Sequence, residues 1–483
     1  MPEPWVNSAE RIGADLHLNL PAEKGGRQAA LTRALREAIR EGRLAPGTRL
    51  PPYRSLAADL GIARNTVASA YAELVAEGWL AARQGSGTRV AERAAPPRPV
   101  PAARKAPQAP PRPAHDLRQG QPDAASFPRT AWLAAARRAL TAAPHEAFGP
   151  GDPRGRIELR RALAEYLARA RGVRTTPDRI VVCSGFAHAL RLLYGGVLRG
   201  PLAVEEYGLP FHRDLLGTAG VRTVPLGIDE RGARTAELGA HKGLRAVLLT
   251  PAHQFPTGGP LHSERRAEAV DWARARRALV LEDDYDGEFR YDREPVGAVQ
   301  GLDPERVVYL GSVSKSLSPA VRLGWMVLPE HLVGAVLEVK GQREAWASVL
   351  DQLTLADFLA SGHYDRHVRR MRQRYRARRD RLVRALAESA PHIRATGVAA
   401  GLHAVLRLPP GSEGDALRAA AHQGLALDGL SPFRHPGATA PAPDGLVIGY
   451  ATPPDHAYPA ALQALTRALG AATGPDGTVV PAG

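Results

Sequence analysis

The sequence predicts an α/β protein in two folded parts: a small helical module closed by a hairpin, then a large body on a mainly parallel sheet. Three observations carry this. Two helical stretches meet at a tight turn at Gly61, eight prolines crowd the eighteen residues from Pro96 to Pro113, and beyond them short apolar runs alternate with long helical stretches. Runs that are apolar throughout mark strands covered on both faces. With 483 residues, 44% of them apolar, the chain exceeds a single core and has the material for several.

In the front module, Ala30 to Glu41 sets Leu31, Ala34, Leu35, Ala38 and Ile39 on one helical face, and Gly42 with Pro46-Gly47 ends that helix. After Leu50-Pro51-Pro52 come a short helix from Ser55 to Leu60, the Gly61 turn, and a helix from about Arg64 to Glu77 with Val67, Tyr71, Leu74 and Val75 facing inward. Helix, glycine turn, helix is the form of a helix-turn-helix. The second helix opens Ala63-Arg64-Asn65-Thr66. That puts a guanidinium, an amide and a hydroxyl on the turn that enters a major groove, while Ala63 offers no capping oxygen. Trp79 to Val90 reads as two short strands about a glycine tip, a wing flanked by arginines. Arg64 and Asn65 are equipped to read bases, whereas Arg54 and the wing glycines suit phosphate.

Charge agrees with an anionic partner. The net formal charge is +15, and residues 1–115 hold 17 Lys/Arg against 10 Asp/Glu. The proline run is an extended linker that spans roughly 55 Å as polyproline II. Cys183 is the only cysteine, so there is no intramolecular disulfide or cysteine metal cluster, and no metal site is expected. With no signal peptide and no apolar run long enough for a bilayer, a cytoplasmic protein without a membrane partner is expected.

In the body, Ile180–Cys183, Leu202–Val204, Ala246–Leu249, Ala278–Leu281 and Val307–Leu310 are the strand candidates. Ligands of parallel sheets bind at the carboxyl ends of strands, so the residues just after each run are the ones to read for chemistry. Ser184-Gly185-Phe186-Ala187 turns into a helix whose first amides, at Phe186 and Ala187, can hold a phosphate. Thr250 to Gly258 is a polar loop containing His253. Glu282-Asp283-Asp284-Tyr285-Asp286 offers a carboxylate to keep a pyridine nitrogen protonated and a phenol for a ring oxygen. Gly311 to Ser316 presents Lys315, whose amine, at the end of a buried strand, can lose a proton and condense with an aldehyde. Ser312, Ser314 and Arg322 supply two hydroxyls and a guanidinium, a set suited to a dianion. Together these call for pyridoxal 5'-phosphate.

Residues 27–92 resemble the winged helix-turn-helix of GntR-type regulators in Leu50-Pro51-Pro52-Tyr53-Arg54-Ser55-Leu56-Ala57, Leu60 to Val67, Ala70-Tyr71, Glu77-Gly78 and Gly85 to Thr88. That resemblance implies DNA contacts from Arg54, Arg64, Asn65, Thr66 and the wing tip Gln84-Gly85. Residues 116–470 resemble a fold-type I aminotransferase, and the two together resemble the MocR-type regulators. The resemblance implies Lys315 as Schiff-base lysine, Asp283 as pyridinium partner, Tyr285 as partner of the ring oxygen O3', and Ser312 with Arg322 as phosphate grip. His367 and His403 are expected to be structural.

Three departures from the aminotransferase pattern matter. Phe255 stands where asparagine usually precedes Pro-Thr-Gly, leaving His253 or Gln254 as substitutes, or the ring oxygen with one partner fewer. Leu209 stands where an aromatic stacks on the pyridine, leaving Tyr207 or Phe186. Gly445 to Tyr450 lacks the substrate-carboxylate arginine, with Arg434 the nearest candidate.

The expected organisation is a DNA-binding module over 12–92, a linker over 93–115, a sensing domain over 116–470 and a tail over 471–483. The expected function is a homodimeric regulator that binds double-stranded DNA and senses the coenzyme, an amine or an amino acid, with at most vestigial or half-transamination activity. The alternatives are an active aminotransferase carrying a DNA-binding module, or a regulator whose body has lost the coenzyme.

Overall fold

The computed structural model describes residues 26–83, 87–92, 113–149, 151–291, 297–341 and 347–472. The chain divides into two compact units, Met1–Pro111 and Arg112–Gly483. The wing-tip residues Gln84 and Gly85, and positions 93–112 of the expected linker, lie outside the described residues.

In the smaller unit, helices α1 (Gly26–Arg40), α2 (Tyr53–Asp59) and α3 (Arg64–Ala76) precede an antiparallel hairpin of β1 (Leu80–Arg83) and β2 (Gly87–Val90). Leu31, Leu35, Ala38 and Ile39 of α1 are fully buried against Leu56, Val67, Tyr71, Leu74, Leu80 and Val90. Gly61 takes φ +61° in the turn between α2 and α3, a conformation open to glycine at little cost. Tyr71 donates a hydrogen bond to the Pro51 carbonyl at 3.1 Å, tying α3 to the segment entering α2.

Two details differ from the sequence reading. Val75 is 36% exposed, because α3 buries one narrow stripe, Val67, Ala70, Tyr71 and Leu74, and the next residue lies about 100° further around the helix. The wing also gains backbone bonds from residues 47–50, with Leu50 N–H donating to Thr88 and Val90 N–H to Thr48.

The larger unit holds β3 (Ile180–Cys183), β4 (Leu202–Glu205), β5 (Thr223–Leu226), β6 (Ala246–Leu249), β7 (Leu279–Asp284), β8 (Val307–Ser312) and β9 (Gly324–Val327). They form one seven-stranded sheet in the order β3-β9-β8-β7-β6-β4-β5. Only β9 runs against its neighbours in this sheet. All five predicted runs are strands, and β5 and β9 are additions. β5 alternates in burial and carries Pro225, which an edge strand tolerates because a missing N–H there breaks no essential ladder bond. Apolar clusters fill both faces, with Val181, Leu281, Val308 and Leu310 in one and Val247, Val280 and Val307 in another.

A 27-residue helix, His363–Ser389, leads to a four-stranded antiparallel sheet of β10 (Arg394–Thr396), β11 (Ala404–Arg407), β12 (Asp428–Gly429) and β13 (Gly445–Ile448), ordered β10-β11-β13-β12. The strand His115–Asp116 pairs with Leu425–Ala426, which anchors the first residues of this unit. The final helix, Tyr458–Ala472, runs two residues beyond the expected domain end at 470.

Leu35→Ala should lower the stability of the front unit by about 2–5 kcal/mol, the usual cost of emptying a buried leucine site. Val75→Ala should change it by under about 0.5 kcal/mol. Denaturant titration followed through Trp79 fluorescence separates the two.

Candidate functional site

The site lies at the carboxyl ends of β7 and β8. In a strand, successive side chains alternate between faces, so Glu282 and Asp284 leave one face of β7 and Asp283 the other. Glu282 accepts the backbone N–H groups of Val299 and Gln300, each at 2.9 Å. Asp284 takes a two-point ion pair from Arg171, at 2.6 and 3.0 Å, and the hydroxyl of Tyr309 at 2.7 Å. Both carboxylates are thereby committed. Asp283 is left facing a cavity of about 280 Å3, with its neighbour in the parallel register being Leu310 of β8.

Lys315 enters the same cavity from the loop after β8. That loop is held by backbone bonds from Val313 to Leu323 and from Leu317 to Val313. Below it, Tyr364 donates to Ser316 Oγ, and His367 Nε2 meets the Ser316 carbonyl, both at 2.8 Å. The Lys315 amine donates to the Gly120 carbonyl, 195 residues away in sequence. Burial lowers the Lys315 pKa against the pull of Asp286 and Asp283, and raises that of Asp283 with help from Asp284. Desolvation therefore favours the uncharged amine, the form that attacks a carbonyl.

Tyr285, Ser312, Ser314, Arg322, Phe186, Ala187 and Tyr207 line the cavity with them. Arg322 is one of two described non-glycine residues with positive φ, at +55°, a strained backbone of the kind found at ligand sites. Its guanidinium forms no ion pair with a described residue. Opposite it, Gly185 opens the helix Phe186–Leu192 with φ +118°. A side chain on Gly324 would lie 2.7 Å from the Gly185 Cα, so β9 and this turn approach as closely as two glycines allow. A cation, two hydroxyls, a carboxylate, a phenol and a desolvated amine fit a phosphorylated pyridine aldehyde.

His253 is placed elsewhere. It lies behind Tyr285, off the cavity wall, with Nδ1 at 2.9 Å from both Tyr285 Oη and Asp286 Oδ2. His253, Asp286 and His403 form the one group of such residues close enough together for a metal ion among the described residues. These contacts occupy His253 Nδ1, and His403 Nε2 bonds the Pro256 carbonyl at 3.1 Å, so hydrogen bonds account for the cluster. Leu209 and Phe255 both line the cavity. Arg434 does not, being paired with Glu206 at 3.0 Å. Arg213 does, but its terminal nitrogens donate to the carbonyls of Gly208, Phe433, Pro432 and Arg434.

The sequence reading missed Glu205, His212 and Gly120. Glu205 was within reach, since it ends β4 just as Asp283 nears the end of β7. His212 packs on Phe186 with centroids 4.6 Å apart, and burial beside Lys315 and Arg213 holds its pKa down at about 4. Gly120 arrives by long-range pairing that leaves no local signal.

In the front unit, Arg54 lies on α2, and Arg64, Asn65 and Thr66 form the first turn of α3, with Arg64 and Asn65 exposed and Thr66 half-buried; the helix has no side-chain cap.

Known proteins supply the context. Residues 27–90 match the family model "Bacterial regulatory proteins, gntR family", and residues 113–440 match "Aminotransferase class I and II". The chain is 34% identical to the probable rhizopine catabolism regulatory protein MocR of Rhizobium meliloti, over 86% of this chain and 88% of that one. The chain belongs to the MocR-type regulators.

The pyridoxine biosynthesis transcriptional regulator PdxR of Corynebacterium glutamicum is 33% identical over 90% of this MocR-type chain and 95% of its own. Among solved structures, an archaeal alanine:glyoxylate aminotransferase superposes with a TM-score of 0.66 at 21% identity, covering 73% of this chain and 89% of that one. The large unit thus has the fold-type I aminotransferase fold, and the chain is a DNA-binding regulator built with it. Among the described residues no helix is long and apolar enough to cross a membrane.

Glu205 gives a pH test. Burial raises its pKa from 4.5 to about 7. Stability from the protonated acid is therefore full below pH 4.5, declines as pH rises to about 7, and stays lost above it. Glu205→Gln should leave the melting temperature unchanged near pH 4.5 and raise it relative to the parent at pH 8, as read by thermal scans across that range.

Proposed function

We propose that the large unit binds pyridoxal 5'-phosphate through Lys315 and that occupancy of this cavity, by coenzyme alone or with an amine or amino acid, controls operator binding. The observation that carries this is the convergence of the Lys315 amine, the Asp283 carboxylate and the Tyr285 phenol in one cavity at the ends of two adjacent parallel strands.

When bound, the coenzyme supplies an aldehyde carbon that an amine can attack and a pyridine ring that withdraws electrons from it. The chain's own groups do the rest. Lys315 offers an uncharged amine. Asp283 holds a proton at the pyridine nitrogen, Tyr285 donates to the ring oxygen, and Ser312, Ser314 and Arg322, with the amides of Phe186 and Ala187, grip the phosphate. Tyr207 and Leu209 cover the ring's surroundings.

Arg213 and Arg434 are spent on protein partners, so an amino-acid carboxylate finds no ready fork and turnover is slow. The domains over 12–92 and 116–470, joined by the linker over 93–115 and followed by the tail over 471–483, work as a homodimer in the cytoplasm. Arg54, Arg64, Asn65 and Thr66, with Gln84 and Gly85 of the wing, contact DNA. A shift of the body between two states, each favoured by a different ligand, then changes how the paired DNA modules are presented.

Purified protein with coenzyme should absorb in the visible, and Lys315→Ala should abolish that band. Operator affinity, measured by fluorescence anisotropy, should change on adding coenzyme to the parent and stay fixed in Lys315→Ala. Asn65→Ala should weaken the operator by about 1–3 kcal/mol while sparing non-specific DNA. An operator affinity indifferent to coenzyme and amines removes the sensing role.

A further inference from the structure

We propose that His253 and Asp286 are positioning residues for Tyr285, fixing its phenol as the hydrogen-bond donor that faces the ring oxygen of the coenzyme. This rests on coenzyme binding as proposed above and assigns work to two residues that do not touch the ligand cavity.

The geometry around His253 leaves little choice of proton arrangement. Asp286 Oδ2 and Tyr285 Oη both stand 2.9 Å from the same ring nitrogen, Nδ1. A carboxylate held that close to a bare nitrogen lone pair is repelled, so Nδ1 carries the proton and shares it between the two oxygens. Tyr285 Oη then accepts from His253, and its own O–H is free to point along another direction. Tyr285 lines the cavity while His253 does not, so the free direction is toward the ligand. The neighbouring wall residue Phe255, with its ring centroid 5.9 Å from that of Tyr285, offers no donor. The phenol therefore carries the contact alone, and its aim matters.

The pair is also held more tightly than stability requires. Asp286 is 2% exposed, and its Oδ1 has no hydrogen-bond partner among the described residues, an arrangement that costs stability because a buried acceptor is left unsatisfied. A Cβ on Gly401 would fall 2.3 Å from His253 Cε1 and 2.5 Å from Asp286 Oδ2, so the backbone presses both into place. The charged and titratable groups around Tyr285 are Asp286 beside it, Asp283 on β7, Glu205 on β4, His253 in the 250–258 loop, His403 before β11, Tyr450 after β13, and Lys315 across the cavity. Burial and the three carboxylates hold the Tyr285 phenol protonated, well above its usual range. It is therefore a donor at every working pH.

A donor at the ring oxygen draws negative charge from it and weakens that oxygen's hold on the proton of the neighbouring lysine-bound nitrogen. Losing the donor raises the pH at which that proton leaves, and visible absorbance reports the change. The test is a spectrophotometric pH titration of full-length protein reconstituted with pyridoxal 5'-phosphate.

Tyr285→Phe should raise the midpoint by about one unit, a tenfold change in the ionisation constant. Asp286→Glu, which moves the carboxylate while keeping the negative charge that acts on Lys315, and His253→Phe should raise it in the same direction by at least half as much. Phe255→Asn in the His253→Phe background, which returns a donor to the wall, should bring the midpoint back. A structural role for the pair would not produce that rescue. Asp286→Glu and His253→Phe proteins that bind coenzyme with the parent's midpoint overturn the inference and leave coenzyme binding standing. A parent protein with no visible band overturns both.

Discussion

The structure depends on the parallel register between β7 and β8. Pairing Asp283 with Leu310 and Asp284 with Gly311 brings a carboxylate and, three residues past the strand end, a lysine to the same edge of the sheet. Strand alternation does the sorting. Of four carboxylates in five residues, it sends Glu282 and Asp284 to the far face and Asp283 to the cavity. A one-residue slip would exchange those faces, leaving the cavity with the acids and burying Asp283 without a partner.

That sorting is held by a costly set of buried charges. Arg171, with 5% side-chain exposure, pairs with Asp284, at 2%, and Tyr309 completes the carboxylate's shell. Such pairs add little net stability over a well-packed apolar substitute, but breaking one partner leaves an uncompensated charge. Here the pair fixes the far face of β7, and through it the direction of Asp283. Glu205, Glu282 and Glu288 are all pushed up to about 7 by burial, so the centre of this unit is arranged around acids that give up stability as pH rises. A fold selected for stability alone has no reason to keep them.

Much of this was legible in the sequence, for identifiable reasons. The five central strands were visible because burial on both faces leaves continuous apolar runs. Lys315, and a carboxylate with the Tyr285 phenol in Glu282–Asp286, emerge from asking which residues stand at the end of each run, and the resemblance to the aminotransferases singles out Asp283 among the acids. β5 was hidden by its edge position, which allows alternation and a proline. β9 was hidden because Gly324-Trp325-Met326-Val327 is too short to separate from the loop before it. Val75 was misplaced because a helical face drawn from apolar spacing is wider than the stripe that α3 buries. Gly120 and His403 reach the site through pairings more than a hundred residues long, which local pattern does not encode. His253 was read as a substitute ligand contact. It lies one layer back, since Tyr285 fills the space between it and the cavity.

The two units bring different physics to one regulator. The front unit presents a helix turn with a guanidinium, an amide and a hydroxyl, suited to a charged, hydrated surface. The large unit buries an amine beside acids, suited to one small anionic aldehyde. The most direct test of the account is borohydride reduction of the protein incubated with pyridoxal 5'-phosphate, followed by peptide mass mapping. The account predicts a reduced adduct on the peptide carrying Lys315, at a stoichiometry near one per chain. An unmodified Lys315 peptide after incubation with excess coenzyme would contradict it.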